Sequence, residues 1–121
     1  MFDQLDDNEL AAARQDLATA GLDSARIAAT ARYIAGPGDG LGTPADLMPL
    51  LMSRDSTDAR WERIAPFEQR WALLVLRIAA TAAPFEAVSD CRRRGCSWAA
   101  IGAALGVAAQ SAHEKFANKI R

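Results

Sequence analysis

Residues 96–116 read CSWAAIGAALGVAAQSAHEKF, and this stretch decides the fold. Ser97 is placed to cap a helix running from Trp98 to Leu105. Gly106 stops that helix, Val107 follows, and a third helix starts at about Ala109 and runs over about 109–120. The spacing is that of a helix-turn-helix, in which two helices meet at a steep angle over a three- to four-residue turn. That geometry demands residue types. A small residue must stand where the first helix approaches the second, and Gly102 does. A residue tolerating positive φ must stand in the turn, and Gly106 does. Ile101, Leu105 and Val107 supply the apolar flanks, and Ala112, Phe116 and Ile120 recur every four residues as one stripe.

Upstream, Pro84 opens a helix with Phe85, Val88 and Cys91 on one side. Arg92, Arg93 and Arg94 fall in its last turn, where cations suit the negative end of the helix dipole, and Gly95 ends it. The charge is segregated. Residues 90–121 hold six basic and two acidic side chains, a net +4, while the other eighty-nine residues carry −5. An acidic body with a basic end is a pattern of chains that bind nucleic acid or another anionic partner.

The remaining sequence reads as helices. Asp7 and Asn8 offer a cap for a helix carrying Leu10, Ala13 and Leu17, with Gly21 as its stop. Asp23 and Ser24 offer a cap for a second helix carrying Ile27, Ala31 and Ile34. Residues 36–44, GPGDGLGTP, hold four glycines and two prolines and predict a linker or mobile loop. They lack the Lys-Ser/Thr of a phosphate-binding loop. Leu47, Leu50 and Leu51 form a short apolar helix, and residues 55–57 a cap for a helix through Trp61 and Ile64. Pro66 starts a helix whose stripe is Phe67, Trp71, Leu74, Val75 and Ile78, with Leu73 and Leu76 off it. That helix is expected at the centre of the core, with a dimer interface as the alternative. No alternating strand pattern of useful length occurs. The expectation is an all-α chain with an acidic helical core and dimerisation segment over 1–83, followed by a three-helix unit over 84–121.

Several classes are excluded on this reading. No run reaches the ~18–20 apolar residues of a membrane span, and the acidic start MFDQLDDNEL is unlike a signal peptide; a cytoplasmic protein with no membrane partner is expected. Cys91 and Cys96 are too few and wrongly spaced for a zinc site, and read as buried and reduced. His113 is the single histidine. No nucleophile–base constellation is signalled, so no enzyme, cofactor or metal is expected.

At Ser97, Trp98, Ile101, Gly102, Leu105, Gly106, Val107, Gln110, Ala112 and Phe116 the chain resembles the helix-turn-helix segment of a group of actinobacterial DNA-binding regulators. It is also similar to region 4 of sigma factors and to the wider repressor-like motif. The resemblance covers about residues 85–121. It implies binding of double-stranded DNA, with the third helix in the major groove and a homodimer placing two such helices one DNA turn apart. On the outward face Gln110 and Asn118 can each read adenine, and Glu114 can accept from cytosine N4; Ser111 shares that face. For Glu114 and Asn118 an ordinary solvated face is the equal alternative. His113 reads as a packed or phosphate-facing residue. Arg92, Arg93, Arg94, Lys115, Lys119 and Arg121 are expected phosphate contacts, with an ordinary solvated helix end the near-equal alternative for the three arginines. The chain departs from the pattern at Ala108 and Ala109, where the regulators carry Ser-Arg. The alternative function is a protein–protein module of a transcription complex whose basic end no longer reads DNA.

Overall fold

The computed structural model describes residues 2–120. Helix α1 spans Asp7–Ile34 as one element of 28 residues. Asp6 is its cap: the carboxylate accepts from the Glu9 N–H at 2.8 Å, and the Asp6 N–H donates to Glu9 at 3.3 Å. The sequence predicts two helices broken at Gly21. The structure has one, and Gly21 serves packing instead: a Cβ there would lie 2.8 Å from the Cβ of Ala82. Asp23 and Ser24 are ordinary interior residues of α1. From Leu22 onward the helix buries Leu22, Ala25, Ala29, Thr30 and Tyr33. Before that point it is largely in solvent.

The glycine loop after α1 makes specific contacts with the body. Tyr33 lies against Gly38, where a Cβ would meet the ring at 2.3 Å. Arg63 donates to the carbonyls of Pro37 and Asp39, both at 2.9 Å. Pro44 belongs to the next element, α2, Pro44–Ser53, capped by Thr43 and Asp46 in a reciprocal box. Leu47, Leu50 and Leu51 are all buried there. Residues 55–57 do not cap a helix. Asp55 accepts from the backbone and hydroxyl of Thr57 in a local turn, and α3, Trp61–Ile64, starts later with no side-chain cap.

A 3-10 turn over Ala65–Phe67 leads into α4, Glu68–Ala79. This is the central helix, packed between α1 on one side and α5 and α6 on the other. Its buried face is Glu68, Trp71, Ala72, Val75, Leu76 and Ala79. The expected stripe is therefore partly misplaced. Ile78 is 47 % exposed and Leu76 fully buried, because α4 has neighbours on two sides and buries a wider, rotated arc.

The C-terminal unit consists of α5 (Pro84–Arg93), α6 (Trp98–Leu105) and α7 (Ala109–Phe116). Its buried Val88, Cys91, Cys96, Ile101, Ala112 and Phe116 join the same core as Leu76 and Trp71. Phe85 meets the Phe116 ring edge-on at 5.2 Å. An ion network also crosses from one segment to the other. The Arg94 guanidinium, 2 % exposed, bonds Glu68 at 2.9 Å and Asp90 at 2.8 Å, and it lies 4.8 Å over the Trp71 ring. Arg54, a left-handed residue at the end of α2, closes the other side of Glu68.

Candidate nucleic-acid interface

Helix α6 begins where the Ser97 hydroxyl accepts from the Ala100 N–H at 3.1 Å. It ends at Gly106, whose φ of 75° is left-handed. The Val107 N–H then donates back to the Gly102 carbonyl at 2.8 Å. Gly102 carries the close approach. A Cβ there would stand 2.7 Å from the Val107 carbonyl oxygen and 3.1 Å from the Ala108 carbonyl. Any side chain would push α6 off the turn and change the angle at which α7 leaves it. Ala112 and Phe116 bury the inner face of α7.

Ala108 stands at the cap position of α7 with extended dihedrals and no side-chain bond to the helix. The helix runs only to Phe116, shorter than the expected 109–120. Asn118 therefore lies in the turn after α7 rather than on it. Gln110, Ser111, His113, Glu114 and Lys115 are exposed on α7. The Gln110 amide donates to the Glu114 carboxylate at 3.1 Å. His113 packs edge-on against Trp98 at 5.3 Å. On the same indole, at 4.9 Å, lies the Arg92 guanidinium, which also donates to the Cys96 carbonyl at 2.9 Å. Arg92, Trp98 and His113 thus form one stack contributed by the end of α5, the start of α6 and the middle of α7.

The arginine run divides three ways. Arg92 is exposed and held on Trp98. Arg93 is exposed but bonded to Asp90 at 2.6 Å. Arg94 is a core ion and not a surface contact: burial and its two carboxylate partners place it out of reach of any phosphate. Lys115 and Lys119 are exposed and lie near the rings of Phe116 and Phe85 at 5.5 and 5.6 Å. Arg121 lies outside the described residues. Cys91 and Cys96 are both buried free thiols. The neighbouring Cys96 sulfur, and then burial, push the Cys91 thiol up, away from the reactive thiolate.

A second basic feature escaped the sequence reading. Between α1 and α4 lies a groove of about 340 Å³ floored by Tyr33, Phe67 and Trp71 and rimmed by Arg32, Arg70 and Arg77. Arg70 sits 5.4 Å over the Phe67 ring. None of the three arginines takes part in an ion pair among the described residues. They are scattered along the chain from Arg32 to Arg77, so only the packing of α1 on α4 reveals them as a set.

No protein family, no curated protein and no solved structure matches this chain. Among the described residues, no helix is long and apolar enough to cross a membrane.

Proposed function

We propose that this chain is a small DNA-binding transcriptional regulator, in which α6 and α7 form a helix-turn-helix and α7 enters the major groove of double-stranded DNA. The observation that carries this reading is the Gly102 contact. It lets the turn into α7 pack closely on α6 while Ala112 and Phe116 bury the inner face of α7, and Gln110, Ser111, Glu114 and Lys115 remain exposed. Arg92, Lys115 and Lys119 bind phosphates, and the Arg92–Trp98–His113 stack positions the first of them. Gln110 reads a base once it releases Glu114, since its amide nitrogen is otherwise engaged. The regulator acts in the cytoplasm as a homodimer, which brings two copies of α7 to the DNA. It is a binder with no reaction of its own.

Fluorescence anisotropy on the duplex upstream of its own coding sequence and on a scrambled duplex, each at two salt concentrations, tests the reading. Salt-sensitive binding with a preference for the first duplex is expected. Gln110→Ala is expected to remove that preference while leaving binding to the scrambled duplex nearly unchanged. Absence of salt-sensitive binding to any duplex overturns the reading. A protein–protein module then takes its place, favoured by one observation: the first turn of α7 holds no basic residue and no side-chain cap.

A further inference from the structure

The homodimer just proposed needs a surface, and α1 carries two unmatched ones. Residues 7–17 precede the first α1 contact with the core, at Ala18, and form an arm of about eleven helical residues, roughly 16 Å at 1.5 Å per residue. This arm exposes Leu17 at 69 %, with Leu5 at 53 % and Phe2 at 99 % just ahead of the helix. Leu10 and Leu17 are seven residues apart, two turns, and so share one face. Around them stand Asp3, Asp6, Asp7, Glu9 and Asp16 against Arg14 alone, a net −4 for residues 2–20. At the other end of the same helix lies the groove, with its aromatic floor and three unpaired arginines.

We propose that two copies of this chain pair through α1 in antiparallel fashion, the acidic apolar arm of each seating in the arginine-rimmed groove of the other. Four observations converge. The charges are complementary, −4 on the arm and +3 on the rim. The apolar parts are complementary as well, a leucine face against the half-buried Phe67 and Leu74 of the groove. The arm cannot serve its own groove, because α1 is continuous from Asp7 to Ile34 and holds the two ends apart. Asp7 and Arg32 are 25 residues apart, roughly 38 Å. An antiparallel pair therefore brings each arm level with the opposite groove at once, and the interface closes as a two-fold with each patch used twice. No residue of α5, α6 or α7 lines the groove, so α7 stays free in both copies.

The inference rests on the dimer reading and sharpens it, and charge reversal separates the two. One variant carries Asp3→Lys, Asp7→Lys and Asp16→Lys. The other carries Arg32→Glu, Arg70→Glu and Arg77→Glu. All six side chains are exposed, so both variants should keep the parent's circular dichroism. In analytical ultracentrifugation the parent is expected as a dimer at micromolar concentration that loosens in high salt. Each variant alone is expected as a monomer, with dimer affinity lower by about a hundredfold or more. An equimolar mixture of the two is expected to sediment as a dimer, because every arm then meets a groove of opposite sign. A parent that is monomeric overturns both this inference and the dimer. Variants that dimerise as the parent does, or a mixture that stays monomeric, overturn the α1 pairing alone.

Discussion

Gly102 and Gly106 are four residues apart and are glycines for different reasons, which separates their substitutions. A Cβ at Gly102 collides with the backbone that follows the turn, 2.7 Å from the Val107 carbonyl oxygen and 3.1 Å from the Ala108 carbonyl. Nothing lies within 4 Å of a Cβ at Gly106, where the cost is the left-handed φ of 75°. Gly106→Ala is expected to lower stability by about 1–2 kcal/mol, and Gly102→Ala by as much or more, about 1–3 kcal/mol. Urea midpoints measure both, and only Gly102→Ala should also weaken DNA binding in excess of its effect on folding. The arginines give a second contrast. Arg94→Met leaves Glu68 and Asp90 buried with one partner fewer and should cost about 3–5 kcal/mol. Arg93→Met removes a bond from a side chain 64 % exposed and should cost at most about 1 kcal/mol. From the sequence the run at 92–94 reads as a uniform basic patch. The clue to its division is Asp90, four residues before Arg94 and on the same face. The second carboxylate, Glu68, comes from a different helix and becomes visible only in the packed structure.

Element by element, α5 and α6 were legible because their limits are written in residues with one conformational use: Pro84, Gly95, Ser97 and Gly106; α7, with no such residue at its end, stops at Phe116, short of the expected 120. The limits of α1 were not legible. Gly21 reads as a stop, but within the continuous α1 it serves close packing on Ala82, sixty-one residues away. The same holds for α4, where two-sided packing chose the buried arc and left Ile78 outside. At α7 the dihedrals of Ala108 are those of a capping residue, φ −68° and ψ 154°, without the capping oxygen. Ala108→Ser should therefore stabilise the protein by about 0.5–2 kcal/mol, read as a higher melting temperature. Acid should act on the caps already present. Backbone N–H donors hold the carboxyls of Asp6 and Asp46 below their usual range, and bonds from the Arg60 side chain and N–H hold Asp58 at about 2. A carboxyl depressed in the folded state contributes stability above its unfolded pKa of ~3.9 and loses it as the pH falls. Circular dichroism on titration should show helix loss setting in below about pH 4.

The whole molecule is drawn with its charges apart and its core shared, and the two facts bear on different experiments. If Arg92, Lys115 and Lys119 are the phosphate contacts of the proposed interface, log K against log salt should fall with a slope of about −3 per chain. A dimer engaging both copies should double that slope. The shared core bears on whether the C-terminal three-helix unit can stand alone. Residues 84–121 keep α5, α6 and α7, and the contacts of α7 with α6 are local. What they lose is α4. Val88, Cys91 and Ile101 are fully buried, and α4 packs against both helices that carry them. Arg94 loses Glu68 and the Trp71 ring, and the Cys91 thiol loses its bond to the Ala72 carbonyl at 3.3 Å. A unit of fewer than forty residues has no reserve of apolar surface to offset this. The isolated 84–121 peptide is therefore expected to show weak helicity and no cooperative melting by circular dichroism, whereas the full chain melts as one transition. Adding a 1–83 peptide in trans should raise the helicity above the sum of the two parts. If 84–121 folds cooperatively alone, the Arg94–Glu68 network and the α4 contacts are dispensable for that unit, and the Arg94→Met substitution should then be mild as well.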